Sequence, residues 1–265
     1  IAGRAALPAV GTWERLLPHE PARTGFDPGD VAGLPEPAQR WLTHAIAPRT
    51  PLARAAIFQM EGRVRLKRWI PFRAVQLQAP PEGYVWAARA RLGPLSITGF
   101  DRYADGAGEM HWSVLGRIPV MNAVGRDVTR GAEGRVALDA VFVPTAFLTP
   151  GVVWHEDPRR PDWVFANWTV GNDTHRLEIH VGPTGDLLSV STARWANPNG
   201  RAWGLYPCGG ALAEEVDFGG ITIPTVMRVG YFFGTEGWDE GEFFRARITD
   251  ATFTERHRVN EEVQQ

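Results

Sequence analysis

Hydrophobic and polar positions alternate along most of the chain, beginning near residue 52. Ala56, Phe58 and Met60 share one parity, while Gln59 and Glu61 lie on the other. A period of two is typical of a strand that buries one face. The alternation therefore predicts that β-structure begins here.

Short alternating segments then recur at regular intervals. They predict strands at 56–67, 72–79, 83–91, 95–104, 108–115, 152–156, 163–170, 174–181, 187–196, 210–218, 221–233 and 242–253. Turn signals such as Gly93-Pro94 and Asp105-Gly106 separate neighbouring segments. Short strands joined by such turns indicate an antiparallel meander rather than alternating strands and helices.

Two segments show helical spacing instead. Apolar residues recur at helical intervals between Leu34 and Ala45, and Pro35 and Pro37 suit a helix start. A second helix is predicted within residues 126–148, with its apolar tail buried against the sheet.

Together these segments predict a mainly β (α+β) fold. We expect a large curved antiparallel sheet or half-barrel of about ten or more strands, wrapped around one or two helices, with an N-terminal helix. Residues 34–254 are predicted to form this single curved-sheet domain. Residues 1–33 are predicted to be an extended arm with at most one short helix around 13–17, and 255–265 a polar tail.

Composition narrows the possible partners. The net charge of −2 argues against nucleic acid as the main partner. The single cysteine, Cys208, excludes a disulfide framework within the chain, and its Tyr-Pro-Cys-Gly-Gly setting indicates a turn and a structural role. The chain contains no run of about 20 apolar residues and no visible signal peptide, so the sequence predicts a cytoplasmic protein without a membrane span.

Eleven tryptophans suggest two alternatives. They either pack the core of a large sheet or form the aromatic walls of a cavity for a hydrophobic ligand. An arginine at the mouth of such a cavity could hold a ligand carboxylate. The candidate ligand-binding residues are Trp86, Trp112, Arg135, Trp154, Arg194, Trp195 and Tyr206.

Asp101 and Tyr103 are the first candidates for chemistry. They share one face of a predicted strand, about 7 Å apart. A buried carboxylate there has a raised pKa and could act as a general acid or base. The alternative is an ion pair between Asp101 and an arginine that ties strands together. His155 and Glu215 are the remaining acid–base candidates.

Other kinds of site lack a signature. The histidines do not have the spacing of metal ligands. Nucleophile motifs and glycine-rich phosphate loops are also missing from the sequence, so neither a metal nor a nucleotide cofactor is predicted.

Several short phrases occur together in an order that resembles a known family. They are Leu34-Pro35-Glu36-Pro37, Trp69-Ile70-Pro71-Phe72, Pro81-Glu82-Gly83-Tyr84-Val85-Trp86, Asp101-Arg102-Tyr103, Pro144-Thr145-Ala146, Arg194-Trp195, Tyr206-Pro207-Cys208-Gly209-Gly210, Ile223-Pro224-Thr225 and Glu242-Phe243-Phe244-Arg245. The chain is similar to uncharacterised, mainly actinobacterial proteins that form a domain-of-unknown-function family. That family resembles the half-barrel of lipoprotein carriers such as LolA and LolB. The resemblance implies the fold and supplies no activity.

Three functional hypotheses remain open. The first is binding of a lipid-like or polycyclic molecule in an aromatic-lined cavity. The second is a cofactor-independent cyclase or isomerase of small-molecule biosynthesis that works in the same cavity. The third is an envelope or structural protein anchored by a segment upstream of Ile1.

Overall fold

One antiparallel sheet of thirteen strands dominates residues 10–17 and 25–254, the part of the chain that the computed structural model describes. The strands are β1 (Ala55–Arg65), β2 (Trp69–Ala79), β3 (Gly83–Leu92), β4 (Leu95–Ala104), β5 (Ala107–Val114), β6 (Ile118–Val124), β7 (Val152–Glu156), β8 (Trp163–Val170), β9 (Asp173–Val181), β10 (Leu187–Ala196), β11 (Gly204–Asp217), β12 (Thr222–Tyr231) and β13 (Glu242–Thr254). The helices are α1 (Val10–Leu16), α2 (Glu36–Ala45), α3 (Arg126–Asp139) and α4 (Trp238–Gly241), with 3-10 turns at Pro28–Val31, Ala140–Phe142, Pro144–Leu148 and Pro198–Gly200.

The strand order shows how the sheet is built. It runs β6-β5-β4-β3-β2-β1-β13-β12-β11-β10-β9-β8-β7, so two meanders meet where β1 pairs with β13. Helix α3 contacts β3–β6 on one flank and β8–β10 on the other, so the sheet curves around it. The predictions of a mainly β fold and of a curved sheet wrapped around helices are confirmed.

Alternation along each strand separates an inner face from an outer face. In β2, Ile70 and Phe72 are buried on the inner face, whereas Arg73 is exposed on the outer face. The inner face packs with α2 and α3 in the main core. Helix α1 contributes to a smaller cluster, in which Trp13 packs with Leu77 of the opposite parity.

Two glycines bring α3 close to β10. A Cβ atom at Gly131 would lie 2.9 Å from the carbonyl oxygen of Trp195, and one at Gly134 would lie 3.0 Å from Cγ of Arg194. Glycine in a helix interior costs about 1 kcal/mol relative to alanine. The close approach offsets this cost and sets the position of Arg194 beneath the helix.

The structure corrects one local prediction. Residues 206–210 lie within β11 rather than in a turn. Gly210 is required there because a Cβ atom would lie 2.8 Å from the carbonyl oxygen of Arg228 on β12. The glycine pair therefore permits close strand packing and does not reverse the chain.

Some predicted segments differ from the structure or lie beyond it. Strand β6 and helix α4 were not predicted, whereas α1 lies where a short helix was expected. The predicted polar tail, 255–265, lies outside the described residues, as do residues 1–9 and 18–24 of the predicted arm.

Candidate functional site

A cavity of about 100 Å³ lies between the inner face of the sheet and α3. Most of its lining is apolar: Phe58, Met60, Trp86, Leu138, Phe142, Val190, Leu212, Met227, Val229, Phe243, Phe244 and Ile248. Its polar lining consists of Gln76, Arg135, Asp139 and Arg194. An apolar cavity with a few polar side chains is the usual form of a small-molecule site.

Arg135 is the centre of the polar network at this cavity. Its guanidinium donates to Asp101 Oδ2 at 3.2 Å, to Asp139 Oδ2 at 3.2 Å and to Gln76 Oε1 at 3.4 Å. The guanidinium also lies 4.5 Å from the ring centre of Tyr84. These contacts hold Arg135 in one position, and α3 is thereby joined to β2, β3 and β4.

Asp101 forms an ion pair with an arginine, but that arginine, Arg135, lies on α3, so the pair joins a helix to the sheet and does not tie two strands together. The carboxylate is buried and also accepts a hydrogen bond from Nε1 of Trp112 at 2.8 Å. Burial raises the pKa of Asp101, while Arg135 and Trp112 act in the opposite direction. Asp101 lies behind Arg135 and does not line the cavity itself.

Tyr103 lies on the same face of β4 as Asp101, as the alternation predicts. Its hydroxyl donates to Glu133 Oε1 of α3 at 3.4 Å. Burial and Glu133 raise the pKa of Tyr103 to about 12, and burial together with Asp173 raises the pKa of Glu133. Tyr103 is therefore a neutral hydrogen-bond donor at neutral pH.

Arg194 differs from Arg135 in its partners. Its Nε donates to the carbonyl oxygen of Gly131 at 2.8 Å, and its guanidinium also contacts the buried Cys208 thiol. Among the described residues, no carboxylate lies within ion-pair distance of Arg194. Since arginine stays charged when buried, Arg194 contributes a positive charge to the cavity wall, and Asp139 of the same lining acts on it only through space.

The structure brings together five of the sequence candidates: Asp101, Trp86, Trp112, Arg135 and Arg194. The rings of Trp86 and Trp112 lie 5.6 Å apart. Trp86 also donates to the sulfur of Met60 at 3.4 Å, so its N–H is satisfied within the wall.

Two acid–base candidates lie elsewhere. His155 is exposed on β7, where its Nε2 lies 3.1 Å from the Nδ2 of Asn167. Glu215 lies 2.6 Å from Nε2 of His44 on α2. Neither side chain lines the cavity.

The other ligand-binding candidates do not line the cavity and contact neighbouring side chains or backbone instead. Trp154 packs on Phe147, with ring centres 5.7 Å apart. Trp195 donates from Nε1 to Asp127 at 2.8 Å, and the hydroxyl of Tyr206 donates to the carbonyl oxygen of Ala202 at 2.8 Å.

Three residues of the network, Gln76, Asp139 and Tyr84, were not among the candidate site residues predicted from the sequence. Gln76 follows Ile70, Phe72 and Ala74 at the inward parity of β2, so a polar residue there was a readable signal. Asp139 lies four residues after Arg135, which is ion-pair spacing on a helix. Tyr84 had no comparable signal.

The structure also gives information on metal sites, membrane-spanning helices and the reactivity of Cys208. Within 10–17 and 25–254, no three histidine, cysteine or acidic side chains are placed to share a metal ion. In the same ranges, no helix has both the length and the hydrophobicity needed to cross a membrane. Burial raises the pKa of the Cys208 thiol, which keeps it protonated.

Comparison with known proteins gives one matching family and two solved structures of low sequence identity. A family model described as "Family of unknown function (DUF6544)" matches residues 24–243. A putative outer membrane lipoprotein-sorting protein domain from Vibrio parahaemolyticus shares 8% identity, with a TM-score of 0.44 over 85% of this chain and 94% of that one. A LolA superfamily protein from Nitrosomonas europaea shares 8% identity, with a TM-score of 0.44 over 82% and 92%. No curated protein matches the chain.

Proposed function

We propose that this chain, which belongs to the DUF6544 family of unknown function, binds an apolar small molecule with an anionic end. The ligand would occupy the cavity between the sheet and α3. The observation that carries the proposal is Arg194, a positive charge on a wall that is apolar apart from Gln76, Arg135 and Asp139, with no carboxylate within ion-pair distance among the described residues. A ligand carboxylate or phosphate would supply the missing partner.

The size of the cavity restricts how the ligand enters. Small-molecule sites are commonly about 300–1,000 Å³, whereas this cavity measures about 100 Å³. A lipid-like or polycyclic ligand therefore requires the walls to move apart. Met60 and Met227 line the cavity, and unbranched methionine side chains rearrange readily.

Arg135 has a different role from Arg194 in this proposal. Its guanidinium is already shared by Asp101 and Asp139, so its charge is neutralised before a ligand arrives. Arg135 positions α3 over the sheet, and Arg194 binds the anionic end of the ligand.

The proposal is tested by direct binding. Delipidated protein is titrated with a fluorescent fatty acid and with its uncharged methyl ester. The acid is expected to bind more tightly, and Arg194→Met is expected to remove this preference, while Arg159→Met, at an exposed site, retains it. Leu212→Trp fills the cavity and should weaken both ligands.

Two results would contradict parts of this proposal. If neither probe binds, and mass spectrometry of the purified protein finds no lipid or polycyclic ligand, ligand binding in this cavity is wrong. If the acid and the ester bind equally, the cavity remains a binding site and the role of Arg194 is wrong.

A second candidate is a cofactor-independent cyclase or isomerase, which the raised pKa of Asp101 favours. Asp101 could exchange a proton with a substrate only if Arg135 moved aside. The test is turnover of a ligand that copurifies with the protein. Loss of turnover with retained binding in Asp101→Asn would support it, and unchanged turnover would exclude Asp101. The acid–base roles of Tyr103, His155 and Glu215, and a cytoplasmic location, remain predictions from the sequence.

A further inference from the structure

One end of the β1–β6 half of the sheet carries a concentrated positive charge. Residues 61–74, 87–100 and 111–122 cover that end and contain a single carboxylate, Glu61. The same segments hold eight cationic side chains: Arg63, Arg65, Lys67, Arg68, Arg73, Arg89, Arg91 and Arg117. The whole chain has more acidic than basic residues, with 30 against 28. Positive charge is therefore concentrated at this end of the sheet, although the chain as a whole is slightly acidic.

Arginines lie directly opposite each other on the outer face. Arg73 of β2 pairs in register with Arg89 of β3, and Arg63 of β1 pairs with Arg245 of β13. Like charges at opposed positions of neighbouring strands destabilise a sheet. Arg73 has a carboxylate partner in Glu61 and Arg245 has one in Glu242, whereas among the described residues Arg89 and Arg63 face them without one.

Part of this array lacks internal partners. Glu242 accepts hydrogen bonds from both Arg228 and Arg245, so its single negative charge is shared by two arginines and the trio stays positive. Arg63, Arg89 and Arg91 make no hydrogen bond or ion pair within the described part of the chain. With the neighbouring arginines they line a broad outer groove of about 920 Å³. This groove is called the arginine groove below.

Exposed apolar side chains lie at the same end of the sheet. In a meander, alternate turns share one end, and here these are the turns at 66–68, 93–94 and 115–117. Leu66 is 64% exposed, Leu115 is 58% exposed and Ile118 is 59% exposed. Lys67, Arg68 and Arg117 lie in these turns. Apolar side chains among cations are characteristic of surfaces that lie on a bilayer.

We propose that the arginine groove and the turns at 66–68, 93–94 and 115–117 dock on an anionic lipid bilayer. The arginines bind the lipid phosphates, and the exposed leucines and Ile118 enter the interfacial layer. The charge complements the negative surface of an anionic membrane, which attracts nearby cationic side chains. The docking does not depend on ligand binding in the inner cavity.

A single-stranded nucleic acid is the main alternative occupant. Such ligands require aromatic side chains on which bases stack. Among residues 10–17 and 25–254, Phe72 is the only aromatic residue that lines the arginine groove, and it is 4% exposed and belongs to the inner core. The exposed apolar turns also favour a bilayer over a nucleic acid.

The acidic residues at this end set the limit of the docking surface. Glu236, Asp239 and Glu240 lie in the connection between β12 and β13. An anionic bilayer repels this connection. The β1–β6 side therefore approaches the membrane first, which gives the docked protein a defined orientation.

The experiment is sedimentation with lipid vesicles. One set is pure phosphatidylcholine, and the other contains about 30 mol % phosphatidylglycerol as the anionic lipid. The protein is expected to bind only the anionic set, and less at high salt because screening shortens the range of its charges. The triple variant Arg63→Gln/Arg89→Gln/Arg91→Gln should lower the partition coefficient by about 100-fold.

A matched triple variant controls for net charge. Arg54→Gln/Arg126→Gln/Arg159→Gln removes three exposed arginines elsewhere and should bind anionic vesicles like the parent protein. Leu66→Ser/Leu115→Ser tests the apolar turns and should weaken binding with less effect on its salt dependence. Circular dichroism verifies that each variant is folded.

Three results would overturn docking on a bilayer. The first is no binding to anionic vesicles at low salt. The second is an equal loss of binding in the two triple variants, since net charge alone would then explain it. The third is displacement from vesicles by a single-stranded oligonucleotide that binds the groove more tightly, which would identify a nucleic-acid partner.

Discussion

Arg135 of α3 donates a hydrogen bond to Asp101 of β4 across 3.2 Å, and both side chains are largely buried. This ion pair joins the helix to the sheet that curves around it. Removal of one partner of a buried pair typically costs about 3–5 kcal/mol, because the other charge stays buried without its partner. We expect Arg135→Met to lower the free energy of unfolding by about that amount, as measured by urea denaturation.

The control for this variant is Arg130→Met on the same helix. Arg130 pairs with Asp173, and both side chains are about one third exposed. An exposed pair contributes about 1 kcal/mol or less, so the control should be much milder. Equal losses in the two variants would contradict the role of the buried pair.

The Glu242 carboxylate gives a prediction about pH. Hydrogen bonds from Arg228 and Arg245 lower the pKa of Glu242 from 4.5 to about 2, against the effect of burial. A carboxylate with a lowered folded-state pKa stabilises the fold above its unfolded-state pKa and loses that contribution as the pH falls. The stability difference between the parent protein and Glu242→Gln should be largest near neutral pH and shrink between pH 4.5 and about 2. The matched control for loss of a carboxylate is Glu240→Gln, at an exposed position. A constant difference for Glu242→Gln would contradict the prediction.

Gly62 is required by the close approach of β1 and β13. A Cβ atom there would lie 2.7 Å from Cα of Ala246, which is closer than side chains tolerate. We expect Gly62→Ala to lower the free energy of unfolding by about 1–3 kcal/mol, the usual cost of overpacking. Gly151→Ala is the control, because nothing lies within 4 Å of its added Cβ atom. Similar unfolding midpoints for the two variants would show that β1 and β13 can separate without cost.

Cys208 should be inert in the native protein. The side chain is fully buried, and burial raises the pKa of its thiol. Because only the thiolate is nucleophilic, a disulfide reagent such as Ellman's reagent should label the folded protein far more slowly than protein in denaturant. Rapid stoichiometric labelling of the folded protein would contradict a structural role for Cys208.

The strands were predictable where one face is buried and the other is not. The alternation in β1 and β2 is clear because the inner face packs on helices. Strand β6 was missed because it lies at the edge of the sheet and is exposed on both faces, so burial imposes no period on its sequence.

Several residues of the site were predictable from the sequence, but the contacts between them were not. Asp101, Trp86 and Arg135 were each identified from sequence, but their contact depends on where α3 crosses the sheet. That crossing is set by long-range packing, including the glycines that face β10. Gln76 was overlooked although its parity placed it inward, because its neighbours on that face are apolar.

The pairing of β1 with β13 also determines when this chain can fold. Ala55 lies opposite Thr254, so the middle of the sheet joins segments from nearly opposite ends of the described chain. A fold with such distant contacts has a high contact order and forms slowly. During synthesis, the meander from β1 to β6 must wait, with one edge of β1 unpaired, until β13 (Glu242–Thr254) has been made. We therefore expect this protein to depend on chaperones more than a fold of the same size with local contacts.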